Sequence, residues 1–225
     1  LLYKRAQLFV TLTKVVAIYG SVYIALLLFR DTAWEDIPWR DFIYLGINGT
    51  LALSAFPLIY LSERVFGLVS DLSLLELTDT NNPLLRELAE TAPGTFQHSL
   101  QVANLAEAAI VRINGNPLLI RAGALYHDIG KMQNPMYFIE NQASGLNPHD
   151  ELGFDESAAI IIGHVKAGIK RAREAKLPET LIDFIRTHHG TSTVQYFYKQ
   201  HMKNFPDEEV DLQKFTYPGP RPFNK

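Results

Sequence analysis

The sequence predicts an all-α protein in which two membrane-spanning helices precede a helical domain. Two long stretches near the N-terminus carry no charge, and the rest of the chain shows repeated apolar spacing of three and four residues. No segment alternates apolar and polar residues over the length of a strand. With 47% hydrophobic and 20% charged residues over 225 positions, the composition is that of a folded chain.

The two apolar stretches have the length of membrane spans. Residues 15–29 and 42–62 hold no charged side chain, and about 20 such residues cross the core of a bilayer as a helix. The link between them contains both tryptophans, Trp34 and Trp39, and tryptophan favours the membrane–water interface. A buried helix pair in a soluble protein is the alternative, although soluble helices rarely lack a polar face for so long.

Positive charge sets the expected orientation of these spans. Lys4, Arg5 and Lys14 lie on the N-terminal side, and the side of a span that is richer in lysine and arginine is usually cytoplasmic. Two spans then return the chain to the cytoplasm, where the remaining residues are expected. Because the chain opens without a methionine, we expect residues 1–62 to be the end of a larger membrane domain.

From position 63 onward the pattern becomes that of a soluble helical domain. Residues 63–93 are expected to form connecting helices with a polar break at 78–83. Helical spacing then continues over residues 95–113, 117–127, 156–175 and 178–188. Prolines predict a loop-rich end over residues 204–225.

Charge and cysteine content exclude several classes of protein. The chain has 21 Lys+Arg against 24 Asp+Glu, a net charge of −3, so it lacks the basic excess of a protein that coats nucleic acid. It contains no cysteine, which excludes a disulfide scaffold, a cysteine-ligated zinc site and thiol catalysis.

Five histidines and one aspartate form the pattern that carries chemistry. They are His98, His127, Asp128, His164, His188 and His189. The apolar run that precedes Asp128 predicts a buried carboxylate, which needs a partner, and a metal ion is the simplest one. Imidazole and carboxylate ligands without thiolates suit Fe, Mn, Zn or Co. Six ligands exceed the four of a tetrahedral zinc site, so the set predicts two ions bridged by Asp128, an arrangement that hydrolyses phosphoesters.

Each histidine alone is a weaker signal than the set. His98 shares a helical face with Val102 and Leu105, and we expect this face to lie toward the core. His188 and His189 end a predicted helix, so that both rings can point into one cavity. Structural or scattered surface histidines are the alternative interpretation.

The order of these residues resembles the HD-domain metal-dependent phosphohydrolases, whose fold is an all-helical bundle with a dinuclear metal centre. The segments GALYHDIGKMQNPMYFIENQ, NPHDEL, SAAIIIGHVKAGI and HHGTSTVQYFYKQ are similar to the seven-transmembrane HD family, the PgpH-type cyclic di-AMP phosphodiesterases. The resemblance is dense over residues 42–203. It implies a membrane-anchored enzyme that hydrolyses cyclic di-AMP to pApA in the cytoplasm, with a hydroxide activated by two Mn or Fe ions.

The same resemblance implies roles for parts of this chain. The six residues of the histidine–aspartate set would be the metal ligands, within an HD domain over residues 94–203. The family pattern ends with a further aspartate, and this sequence has no such motif before Lys225, so residues 204–225 are expected to be a truncated end of that domain. The implied partners are cyclic di-AMP and the lipid bilayer, with an upstream sensing domain and no nucleic acid polymer; a homodimer stays open.

Four further residues near the set are candidates to contact substrate. Lys131 follows Asp128 by one turn, so its ammonium can bind a phosphate oxygen, and these two residues form the expected catalytic pair. Tyr126 is a candidate to stack on adenine, with a core position as the alternative. Glu140 and Asn141 are polar within an apolar segment and are expected either to line the pocket or to cap a helix. Two other histidines are expected at the surface: His149 and His201.

Several alternative functions stay open at this level. An RNase Y-type endoribonuclease shares the HDIGK segment but would need an RNA-binding module that the sequence does not supply. An HD-GYP-type cyclic di-GMP phosphodiesterase would need a Gly-Tyr-Pro element after the paired histidines, where this chain has STVQYFY. The ligand set does not exclude another HD nucleotide phosphohydrolase, or a membrane receptor that binds a nucleotide without cleaving it.

Overall fold

The structure, a computed structural model that describes residues 2–142 and 147–223, is helical and divides into two compact units, Leu1–Ser70 and Asp71–Lys225. The described residues confirm the all-α prediction, since their only extended pairing is an isolated bridge between Thr193 and Thr216. Short 3₁₀ helices join the main elements. The α-helices in these residues are α1 (Leu2–Phe29), α2 (Trp39–Phe66), α3 (Asp71–Leu77), α4 (Pro83–Thr91), α5 (Pro93–Arg112), α6 (Pro117–Tyr126), α7 (Phe154–Glu174), α8 (Glu179–Thr187) and α9 (Gln195–Asn204).

The first unit is a hairpin of two long apolar helices, α1 and α2. By length and composition, Phe9–Phe29 and Trp39–Phe66 can cross a membrane. Within the most apolar 18 residues of each, 0% is buried in the first helix and 6% in the second. A buried pair of soluble core helices is therefore not what the structure contains. The helices approach each other at a small residue, because a Cβ on Gly49 would lie 3.1 Å from the Val16 side chain, and such contacts are common between membrane helices.

The turn between α1 and α2 carries the aromatic residues expected at an interface. The rings of Trp34 and Trp39 meet edge to face at 5.5 Å, and both are exposed. The Tyr23 hydroxyl donates to the carboxylate of Asp41 and so ties the two helices beside this turn. The side chains of Lys4 and Arg5, which carry part of the orientation argument, lie outside the residues whose side chains are described.

In the second unit most helices begin where the sequence places them, because their starts carry strong local signals. The Asn82 side chain accepts a hydrogen bond from the Leu84 amide at the start of α4, and Asn116 caps α6 in the same way. A proline stands at the first position of α4, α5 and α6, where its missing N–H costs nothing. By contrast, α9 has no such cap and was not predicted.

The buried face of α5 differs from the expected one. Thr95, Ser99 and Ala103 face the core, whereas Leu105 is 72% exposed and His98 is exposed. The expectation that His98 points into the core is therefore wrong. Because α5 runs closely along α6, small side chains occupy the contact and the larger ones are left outside.

Two glycines bring α7 against the turn that follows α6. A Cβ on Gly130 would lie 1.8 Å from the carbonyl oxygen of His164 and 2.5 Å from the amide nitrogen of Gly168. A Cβ on Gly168 would in turn lie 2.9 Å from a methyl group of Ile185. The backbone of α7 thus passes directly over the 3₁₀ turn Ile129–Gln133, so closely that neither glycine position has room for a side chain.

The C-terminal end is mostly loop, as predicted, but it packs on the domain. Phe215 is buried, and its carbonyl accepts a hydrogen bond of 2.8 Å from the Val194 amide. Phe215 belongs to an apolar cluster with Ala158 and Phe197. His201, expected at the surface, is half-buried because its ring packs beside that of Phe215 at 5.7 Å.

Replacing Gly130 by alanine tests this close crossing. We expect Gly130→Ala to lower the free energy of unfolding by about 1–3 kcal/mol, because the added methyl group collides with backbone rather than with a movable side chain. Gly163→Ala is the matched control: a Cβ there meets nothing within 4 Å, so the change should stabilise α7 by about 1 kcal/mol. Thermal unfolding of the full chain in detergent measures both. Equal changes in the free energy of unfolding for the two variants would contradict the close approach of α7 to Gly130.

Candidate metal centre

The six residues singled out in the sequence meet at one place in the second unit. His98 comes from α5, His127 and Asp128 follow α6, His164 lies on α7, and the last two histidines follow α8. They form two groups that share Asp128, and in each group the candidate ligand atoms lie within 4.8 Å of one another: Asp128 with His164, His188 and His189, and Asp128 with His98 and His127. The fold thus assembles the predicted set around one carboxylate.

Three of these histidines are held in a single tautomer by the backbone. The Nδ1 atoms of His127, His164 and His188 lie 2.7, 2.5 and 2.9 Å from the carbonyl oxygen three residues earlier in each helix. A carbonyl oxygen only accepts hydrogen bonds, so Nδ1 carries a proton, and in the neutral ring Nε2 keeps its lone pair. Each ring therefore presents Nε2 as a ligand atom toward the centre.

These lone pairs converge on a buried oxygen. The Nε2 atoms of His164 and His188 lie 3.3 Å apart, and they stand 3.3 and 3.5 Å from Oδ1 of Asp128. Asp128 is 2% exposed, and its Oδ1 has no hydrogen-bond partner among the described residues. Three electron-rich atoms this close together repel one another unless a cation lies between them. The donor set therefore fits a divalent metal ion.

The ionisation of Asp128 and of His189 favours metal binding. Burial opposes the charged form of Asp128, but the contact with His127 holds the pKa of its carboxyl well below the usual range. Burial, together with His188 and His164, lowers the pKa of His189 to about 3, so this ring is neutral and free to bind a metal. Burial disfavours the cationic form of His127, yet its contact with Asp128 raises its pKa.

Lys131 joins the cluster to a second carboxylate. Its Nζ lies 2.9 Å from Oδ2 of Asp128 and 2.7 Å from Oε1 of Glu140, and 4.9 Å from the centre of the Phe138 ring. Burial opposes its charge, but the Asp128 carboxylate raises the pKa of Lys131, so that a fixed cation stands beside the site. Glu140 also accepts a hydrogen bond of 3.0 Å from the Thr95 hydroxyl.

Two residues expected near the substrate have partners within the protein. Tyr126 is fully buried and its hydroxyl donates to the carbonyl of Leu77 at 2.9 Å, so its ring cannot stack on a nucleotide. Asn141 accepts from the Thr95 amide at 3.0 Å and donates to the Thr95 hydroxyl at 2.8 Å. The amide of Asn141 is thus engaged in capping α5, the second of the two roles expected for it.

One further histidine lies elsewhere than expected, and the structure adds a tyrosine that the sequence did not indicate. His149 is half-buried between Tyr137 and Phe197, with its Nε2 2.9 Å from the Tyr137 carbonyl, rather than free at the surface. Tyr217, which no sequence pattern singled out, stacks on His189 with ring centres 4.1 Å apart. It lies in the proline-rich end of the chain, where the sequence offers no periodicity.

The chain is similar to known proteins over most of its length. The family model of the HD domain matches residues 95–214. The cyclic-di-AMP phosphodiesterase PgpH of Bacillus subtilis (strain 168) is 39% identical over 98% of this chain. The PgpH of Listeria monocytogenes serotype 1/2a (strain 10403S) is 38% identical over 99% of this chain. The chain spans only 31% of the length of either relative.

A solved structure supports the same relationship. The crystal structure of the L. monocytogenes phosphodiesterase PgpH HD domain in complex with cyclic-di-AMP has a TM-score of 0.61 and 45% sequence identity. The similarity covers 64% of this chain and 66% of that one. An HD domain implies divalent metal binding, and the buried histidine–aspartate cluster is one that can hold metal. The helical fold, the cluster and the match over more than half its length show that the chain belongs to the HD domain family.

Proposed function

We propose that this chain is the catalytic part of a membrane-anchored, metal-dependent phosphodiesterase that hydrolyses cyclic di-AMP to pApA. The observation that carries the proposal is the convergence of imidazole Nε2 atoms on the buried, unpaired Oδ1 of Asp128. The PgpH relatives suggest the substrate, since they are cyclic-di-AMP phosphodiesterases and one HD domain was solved with that nucleotide.

In this proposal the two ligand groups hold two ions, Mn or Fe, with Asp128 shared between them. The proposed ligands are His98, His127, Asp128, His164, His188 and His189. Bound divalent ions would supply Lewis acidity toward the phosphate and lower the pKa of a coordinated water. The chain's own contribution is orientation, because the three backbone carbonyls that hold Nδ1 fix the direction of the Nε2 atoms.

Lys131 is proposed to act on the substrate as a positive charge. Asp128 and Glu140 hold its ammonium beside the cluster, and this fixed charge is suited to stabilise negative charge that develops on a phosphate. Glu140 keeps the ammonium in place because it is itself held by the Thr95 hydroxyl. We therefore assign Glu140 to positioning Lys131 rather than to contact with the nucleotide.

Hydrolysis of cyclic di-AMP by the full chain in detergent, after loading with Mn²⁺, tests the function. We expect release of pApA, and Asp128→Asn should reduce the rate by at least ~10²-fold because it removes the shared anionic ligand. Asp155→Asn is the matched control, because this half-exposed carboxylate pairs with Lys214, and it should leave the rate unchanged.

In the same assay Lys131→Gln should lower kcat/KM by roughly 10²-fold. Cleavage of cyclic di-GMP or single-stranded RNA in place of cyclic di-AMP would overturn the substrate assignment.

The metal content separates an enzyme from a receptor that only binds a nucleotide. We expect two ions per chain by elemental analysis after loading and desalting, because the two ligand groups share one carboxylate. His188→Gln should reduce this number, whereas His201→Gln, which lies outside both groups, should not. One ion or none in a chain that still binds cyclic di-AMP would favour the receptor instead.

We also propose that α1 and α2 form part of a larger multi-pass membrane domain, with residues 63–93 as connecting helices and the HD domain, residues 94–203 and their loop-rich end, in the cytoplasm. The apolar composition and length of both helices support this arrangement. In membrane vesicles with the cytoplasmic face inward, the HD domain should resist added trypsin and become sensitive once the vesicles are permeabilised. Digestion before permeabilisation would contradict the orientation.

A further inference from the structure

His189 is oriented differently from the three histidines that backbone carbonyls hold. Backbone carbonyls hold the Nδ1 atoms of His127, His164 and His188. Within the residues described, His189 makes no hydrogen bond through either ring nitrogen. Its ring is half-buried, so its orientation has to come from packing rather than from a polar contact.

Three rings supply that packing: His164 meets His189 edge to face at 5.2 Å, and two others lie closer. Tyr217 lies parallel to the imidazole of His189, with ring centres 4.1 Å apart and an angle of 14° between the planes. The ring of His188 lies on it at the same distance but tilted by 45°. A parallel contact restricts the plane of the imidazole, and both ring nitrogens lie in that plane. Tyr217 is 5% exposed, so solvent does not compete for the face that it covers.

The backbone around Tyr217 is fixed to the loop that carries His189. The segment of residues 215–221, here called the strap, runs antiparallel to residues 190–194. Its hydrogen bonds are those of Val194 N to the Phe215 carbonyl (2.8 Å) and of Tyr217 N to the Ser192 carbonyl (2.9 Å). The Tyr217 ring is therefore placed by backbone pairing on both sides of the bridge between Thr193 and Thr216.

A close approach fixes the far end of the strap. A Cβ on Gly219 would lie 2.4 Å from the carbonyl oxygen of Arg186, in the last turn of α8. Gly190, at φ 55°, adopts a left-handed conformation directly after His189, which glycine tolerates without strain. Arg221 donates to the Thr191 hydroxyl at 3.3 Å. The strap thus returns to the same loop at several points, although residues 215–221 lie beyond the part matched by the HD family model.

We propose that Tyr217 is a positioning residue that holds the His189 imidazole in the plane it needs to bind a metal ion. The inference rests on the proposed metal-dependent function and adds a residue to it. Tyr217 would play for His189 the part that the backbone carbonyls play for His127, His164 and His188. The ring, rather than the hydroxyl, carries this role.

Three variants of the full chain in detergent test the inference by metal affinity, independently of turnover. Tyr217→Leu removes the planar ring, and we expect one ion to bind at least ~10-fold more weakly than in the wild type, the scale of effect seen when the support of a ligand is lost. Tyr217→Phe keeps the ring and should bind both ions normally. Arg221→Ala removes only the exposed side-chain contact with Thr191 and leaves the backbone pairing that places Tyr217 intact, so it is the matched control. Tyr217→Met, closer in volume, replaces the leucine variant if that chain does not fold.

Cobalt substitution gives a second readout. The visible absorption of Co²⁺ reports ligand geometry, so Tyr217→Leu should alter the bands of one ion while Tyr217→Phe leaves them unchanged. In the Mn²⁺-loaded enzyme, kcat for cyclic di-AMP should fall more than KM rises.

The outcomes separate this inference from the proposed function. Two ions bound to Tyr217→Leu with wild-type affinity would overturn it, as would an equal loss in Tyr217→Phe or Arg221→Ala. A wild-type chain that hydrolyses cyclic di-AMP while Tyr217→Leu behaves identically would overturn the inference alone. A wild-type chain that binds no metal would overturn both.

Discussion

The second unit is organised around a carboxylate that stays charged in the interior. Asp128 is almost completely removed from solvent, and an isolated ionised carboxylate in that position would be prohibitively costly. Its charge is compensated in part by the Lys131 ammonium, and imidazole groups surround it on three sides. These groups do not saturate it, because one of its oxygens lacks a hydrogen bond within the described chain. The remaining demand is for a cation, which connects the folding of this domain to metal binding.

The surrounding helices place the candidate metal ligands around that carboxylate. The glycine crossing at Gly130 and Gly168 brings α7 close enough for His164 to reach Asp128. The ends of α6 and α8 supply His127 and His188, because a residue at the last turn of a helix can bond to the carbonyl three positions earlier. The same local contact, repeated on three helices, thus provides three pre-oriented ligands. Pre-orientation lowers the entropy that metal binding would otherwise lose.

In the proposed enzyme, different parts of the chain serve membrane anchoring, metal binding and stabilisation of the phosphate charge. The apolar hairpin of α1 and α2 has the length needed to hold the protein in a bilayer. The histidine–aspartate cluster provides the donors for metal, and Lys131 provides a fixed charge for the phosphate. The strap adds aromatic packing to His189, whose ring no backbone carbonyl orients. Residues far apart in the sequence therefore contribute to a single centre, from Thr95 to Tyr217.

The sequence by itself determined the helical class, the two apolar helices, the helix starts and the identity of the clustered residues. These depend on local signals, such as the asparagine caps before Pro83 and Pro117 and the absence of charge over residues 42–62. Tertiary structure decided the rest. Burial of Tyr126 and exposure of His98 depend on which face of each helix meets a neighbour. On α5, close packing buries the face with small residues, not the larger apolar face that the spacing predicts. The contact between His189 and Tyr217 joins residues 28 positions apart through a strap without periodicity, so only the folded chain reveals it.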